Sequence, residues 1–119
     1  MGMKVYFLRH GQTAWNAEMR MQGQVNVPLN DEGRKQARGA AACLPAIALC
    51  LTSPLDRARE TARLALGGEG TPMLDEPLLI EQGYGVAEGR DQTVAYDDPK
   101  DPLYDYGRAP QRYRPPEGG

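Results

Sequence analysis

Histidine occurs once among the 119 residues of this chain, and cysteine only twice. No CxxC spacing is present and no histidine stands near Cys43 or Cys50, so a zinc cluster is excluded. The two cysteines sit in apolar company and read as buried reduced thiols rather than a disulfide frame. No apolar run reaches the length of a membrane span. Charged residues come too early in MGMKVYFLRH for the apolar core of a secretory signal, which sets a cytoplasmic expectation. The Met-Gly start lacks the serine or threonine that a myristoylation signal wants at its sixth residue, where Tyr6 stands. A net charge of −2 supplies no long-range pull on nucleic acid or an anionic membrane, and neither is expected as a partner. Internal repeats are absent. Arginine, by contrast, outnumbers lysine eleven to three. Its planar fork favours geometric recognition of phosphate or carboxylate over a diffuse positive field. At 40% hydrophobic and 25% charged, the composition is that of one domain able to build a core without staples.

Residues 4–8, KVYFL, form a β-branched and aromatic run that reads as a buried strand ending at the Arg9-His10-Gly11 turn. From Asn30, an N-cap candidate, Asp31 and Glu32 precede Ala37, Ala40, Ala41 and Leu44 at helical spacing, with Pro45 as the stop. Residues 47–52 predict a second strand. Ser53, Pro54 and Asp56 then read as N-cap, first-turn proline and capping-box acid of a helix that closes near Gly67, with Arg57 in its first turns. Residues 73–80 are a third apolar stretch, broken by Pro77. Residues 91–119 hold five of the ten prolines and four of the six tyrosines and predict an irregular excursion or lid. The alternation of strand and helix predicts an α/β sandwich with its functional groups beyond the carboxyl ends of the strands.

Phosphoryl transfer needs a nucleophile, donors around three equatorial oxygens and an acid for the leaving oxygen. Arg9 and His10 set a guanidinium beside an imidazole that is largely neutral near pH 7. Arg57 adds a second fork near a helix amino end, where free N–H groups also favour an anion. Glu81 is the candidate proton donor, if burial beside a bound phosphate favours its protonated form. Each has a plainer reading. His10 would be a structural hydrogen-bonder, Arg57 a helix-surface residue paired with Glu60, Trp15 a packing residue, and Asn16 a turn or cap.

The string LRHGQTAWN at residues 8–16 resembles the opening motif of the histidine phosphatase superfamily, also called phosphoglycerate mutase-like. Three further blocks follow in that family's order: GQVNVPLNDEGRKQA (23–37), LTSPLDRARETA (51–62) and LLIEQGYGVAEGR (78–90). The resemblance implies a three-layer α/β sandwich in which His10 takes the phosphoryl group, Arg9, Arg57 and Asn16 bind phosphate, and Glu81 donates the proton. Thr13, Gln22 and Gly23 match positions that line the substrate pocket. No metal or other cofactor is implied, and the partner is a small phosphorylated substrate. The implied activity is hydrolysis of phosphate monoesters through a phosphohistidine. A mutase of the phosphoglycerate type and an inactive phosphate-binding fragment are the alternatives.

One departure stands out. Relatives carry a second histidine on a late strand, and this chain has only His10. It therefore reads as a truncated N-terminal portion lacking a central strand, and three explanations compete. A second chain supplies the other half, or the gene is a fragment, or a homodimer completes the fold.

Overall fold

The structure, a computed structural model, describes residues 2–67, 70–85, 88–91 and 100. In chain order its elements are α1 (Ala14–Ala17), α2 (Asp31–Ala40), β1 (Cys50–Thr52), α3 (Asp56–Ala65), β2 (Met73–Asp75) and a 3₁₀ turn (Pro77–Leu79). β1 and β2 pair in parallel, with Leu51 opposite Leu74, and α3 is the crossover between them. α3 packs on both α2 and β1, so the helices lie together on one side of the sheet.

α2 begins where the sequence places it. Asn30 is extended at the cap and its side chain accepts the Gly33 N–H at 2.8 Å, while Asp31 and Glu32 complement the helix dipole. The helix ends at Ala40, one turn before Leu44, and Gly33 and Ala37 form its buried stripe. α3 starts differently from expectation. Its N-cap is Leu55, which makes no side-chain cap bond, and Ser53 Oγ only meets the Leu55 N–H, at 3.4 Å. The helix yields to Gly67, whose φ of +75° is the left-handed exit that glycine takes freely.

Two glycines in α2 carry opposite predictions. A methyl on Gly33 would overlap the Gln12 backbone, and one on Gly11 would overlap Gly33, so these two bring the His10 loop onto the helix. Nothing lies within 4 Å of a methyl on Gly39. Helix propensity alone favours alanine at both positions by about 1 kcal/mol. We expect Gly39→Ala to stabilise by about 0.5–1 kcal/mol, and Gly33→Ala to destabilise by about 1–3 kcal/mol through overpacking. Urea unfolding of both variants checks the sign at each site.

The strand expected at residues 4–8 does not form. The segment has no ladder partner among the described residues and lies exposed, Phe7 at 94%. An apolar run becomes a strand only when another backbone satisfies its N–H and C=O groups. The predicted strand 47–52 shortens to its last three residues for the same reason, since Met73–Asp75 is its described partner. Leu51 and Leu74, paired across the sheet on the face away from α3, are 53% and 55% exposed. The buried-thiol reading also fails: Cys43, in the turn after α2, is exposed, and Cys50 is half-buried. The third apolar stretch divides into β2 and the 3₁₀ turn, Pro77 starting the turn. Apart from Asp91 and Lys100, the excursion predicted for 91–119 lies outside the described residues.

Candidate active site

Residues 9–12 lead into α1 as an irregular loop fastened to both long helices. The Gly11 N–H donates to Thr61 Oγ1 (3.0 Å) on α3, and the Thr61 hydroxyl donates in turn to the Arg57 carbonyl (2.6 Å). Toward α2, the Gln12 N–H donates to Gln36 Oε1 and the Gln12 carbonyl accepts from the Asn30 N–H, each at 3.0 Å. His10 therefore projects from a tethered loop, although not from the end of a strand.

Nδ1 of His10 lies 2.6 Å from the carbonyl oxygen of Gly11. A carbonyl only accepts, so Nδ1 carries the hydrogen and, in the neutral ring, Nε2 keeps a bare lone pair. Partial burial is the main cause that lowers the imidazole pKa below its usual 6.5, and the charges of Arg57 and Arg9 lower it further. The bond to Gly11 and the charge of Glu81 act in the opposite sense. The folded chain thus binds this proton less readily than the unfolded chain. Stability attached to His10 is whole above pH 6.5 and is lost as pH falls from there through the lower folded value. A proton NMR titration is expected to give a midpoint below 6.5 for this single histidine. A midpoint at or above it would contradict the assignment.

Arg9, His10, Gly11, Gln12, Asn16, Met19 and Gln36 line an open cleft of about 440 Å³, large enough for a small phosphorylated molecule. Asn16 is also a cap: with Thr13 it closes a capping box on α1, its Oδ1 accepting the Thr13 N–H at 3.0 Å. Only its Nδ2 donor is left to face the cleft. Thr13, Gln22 and Gly23 are buried and line no part of it. The Thr13 hydroxyl, fully buried, donates to Gln22 Oε1 at 2.5 Å.

Arg57 is 1% exposed rather than a surface residue, and Glu60 pairs with Arg34 instead. Its two terminal nitrogens donate to the carbonyls of Val25 (2.6 Å) and Gly23 (2.7 Å). The second fork thus grips the backbone of residues 23–25 and reaches His10 through its charge. Glu81 is exposed rather than buried as the proton-donor reading expects, and its Oε1 accepts the Gln82 N–H at 2.8 Å. Its charge nevertheless acts on both His10 and Arg57. Trp15 packs as expected, beside Gly89, where a methyl would come to 3.3 Å from the indole. Sequence reasoning missed Glu88 and Gln24, which tie residues 23–25 to residues 81–84. No periodicity or spacing marks such residues, because their partners are backbone groups. Among the described residues, no cluster of side chains could hold a metal.

The description Histidine phosphatase superfamily (branch 1) matches residues 5–119. The chain belongs to the histidine phosphatase superfamily. Its similarity to Probable phosphoglycerate mutase GpmB of Cronobacter sakazakii is 39% identity over 90 residues, covering 74% of this chain and 42% of that protein. Fructose-2,6-bisphosphatase TIGAR B of Danio rerio is 37% identical over 122 residues, covering 93% of this chain and 44% of its own length. Among solved structures, an Escherichia coli protein described as a candidate alpha-ribazole-5'-P phosphatase superposes with a TM-score of 0.79 at 29% identity, over 92% of this chain and 55% of that one. The phosphoglycerate mutase of Thermus thermophilus superposes with a TM-score of 0.65 at 38% identity, over 82% and 54%. This histidine phosphatase chain has the phosphoglycerate mutase-like α/β fold; it spans less than half the length of the first two relatives and just over half of the two solved chains.

Proposed function

We propose that this chain carries the phosphate-accepting site of a phosphomonoesterase in which His10 is the nucleophile. The supporting observation is the chain's single imidazole, its Nδ1–H held by Gly11 so that Nε2 carries the lone pair, lining a cleft with Arg9. Nε2 attacks phosphorus, the P–O ester bond breaks, and the leaving oxygen takes a proton from Glu81. Water, with Glu81 now accepting its proton, then cleaves the P–N bond and returns His10. Arg9 and Asn16 Nδ2 meet the phosphoryl oxygens, and Arg57 adds positive charge from behind the loop it holds. Substrates are small phosphate monoesters. The similarity to proteins named phosphoglycerate mutase favours one second reading, transfer of the phosphoryl group back to substrate. Phosphate release without added bisphosphoglycerate supports hydrolysis, and dependence on it supports the mutase.

The test is a comparison of leaving groups in an enzyme containing this chain. Glu81→Gln keeps size but cannot supply a proton. An alkyl phosphate is expected to lose about 10²–10⁴-fold in rate, the usual range of general acid catalysis, whereas p-nitrophenyl phosphate loses far less. Equal losses would remove Glu81 from the proton-donor role.

A further inference from the structure

Glu88 stands where the loop held by Arg57 meets the turn that carries Glu81. Its Oε1 accepts two backbone N–H groups from different segments, Gln24 at 3.0 Å and Tyr84 at 3.0 Å. Bonds of this kind to a charged acceptor are roughly twice as strong as neutral ones. Next to it, backbone bonds at Met21 join the same stretches of chain. The Gly89 N–H donates to the Met21 carbonyl at 2.6 Å, and the Met21 N–H to the Arg90 carbonyl at 3.0 Å. Gly23 has φ +54°, and any side chain there would overlap the Glu88 carboxylate, so the close approach depends on glycine. Gln24, tied to Glu88 by its N–H, extends Nε2 to the backbone carbonyl of Glu81 at 3.2 Å. The neighbouring carbonyls, Gly23 and Val25, are the two that Arg57 grips. A continuous set of bonds therefore runs from Arg57 through residues 23–25 to Glu88, and through Gln24 to Glu81.

We propose that Glu88 is a positioning residue, its carboxylate locking the turn that bears Glu81 to the Arg57-anchored loop and so holding Glu81 within reach of His10. The proposal rests on the reading of His10 and Glu81 given above, but its test needs no turnover. His10 is the only histidine, so its ring protons titrate without overlap in NMR. Among the described residues, the charges acting on that ring are Arg57 and Arg9, which lower its pKa, and Glu81, which raises it; Glu88 is not among them. Glu81→Gln is expected to lower the His10 midpoint. Glu88→Ala is expected to produce a downward shift of the same size, because Glu81 leaves the site, and adding Glu81→Gln to it is expected to change nothing more. Glu88→Gln keeps an acceptor oxygen at the same reach and is expected to return the midpoint most of the way to the parent value.

A folded Glu88→Ala chain with the parent midpoint would overturn the proposal, as would a full Glu81→Gln shift in that background. If Glu88→Ala does not fold, Gln24→Ala carries the test, since it cuts only the exposed side-chain bond to Glu81 and leaves Glu88 its two N–H groups. A lowered midpoint supports the link, and an unchanged one rejects it. Failure of the phosphohistidine chemistry leaves these titrations readable, so the two ideas fail separately.

Discussion

His10→Ala is expected to leave an enzyme containing this chain with no detectable phosphohistidine on this segment and a loss of turnover of about 10⁴-fold or more, the scale at which removing a nucleophile acts. No other imidazole is present in the chain to take the phosphoryl group. The geometry makes the reason specific. The Gly11 carbonyl fixes the hydrogen on Nδ1, so the reacting lone pair is on Nε2, and reduced basicity keeps the ring unprotonated near neutral pH. Stability offers the control. Among the described residues the His10 ring bonds only to its own neighbour's carbonyl, so the alanine variant is expected within about 1 kcal/mol of the parent in urea unfolding. Mass spectrometry after exposure to p-nitrophenyl phosphate reads the phosphorylated peptide directly. Phosphate found on the alanine variant, or turnover above a few per cent, would end the nucleophile assignment.

The parts legible in the sequence are those whose cause is local. The Asn30 cap, the acids of the first turn and the Ala37 stripe belong to α2 itself, and the helix forms where they place it. The exit at Gly67 needs only one residue's freedom to adopt positive φ. Asn16 was legible as a cap for the same reason, since its partner Thr13 is three residues away. A strand has no such independence. The run at residues 4–8 has the right residues, but a strand is completed by a neighbour that its own sequence cannot specify, and among the described residues none pairs with it. The cysteines misled by a related route, since apolar neighbours in sequence say little about which face a turn exposes.

At the candidate site, the sequence supplies residue types but not their partners. Arg57 reads from sequence as a phosphate clamp or a surface residue, and the structure gives it a third occupation, with both terminal nitrogens on backbone carbonyls 32 and 34 residues away in sequence. Thr13 and Gln22 satisfy each other, so two residues expected at the pocket wall hold the loop behind it instead. Backbone carbonyls have no letter in a sequence. An arginine that recognises them is therefore indistinguishable, before folding, from one that awaits a ligand.

That occupation gives Arg57→Ala an expected cost in stability of about 3–5 kcal/mol, a large part of the 5–15 kcal/mol typical of a domain. Two carbonyls, those of Gly23 and Val25, lose charged donors in a buried setting, at about 1–3 kcal/mol each, and the buried stem leaves a space as well. Arg57→Lys replaces a fork with a point charge that cannot span both oxygens and is expected to forfeit about half. Arg59, two residues along the same helix, is the contrast. Its ion pairs with Asp75 and Asp56 are at the surface and screened by solvent, and Arg59→Ala is expected to leave the urea midpoint close to the parent's. Urea unfolding of the three variants, with phosphate binding measured on those that fold, separates the roles. A loop anchor loses stability first and phosphate affinity as a consequence, because residues 23–25, which Gln24 ties to Glu81, are released. A pure phosphate clamp would lose affinity while unfolding at nearly the parent's urea midpoint, and an Arg57→Ala chain within about 1 kcal/mol of the parent would show that the two backbone bonds do not hold the loop.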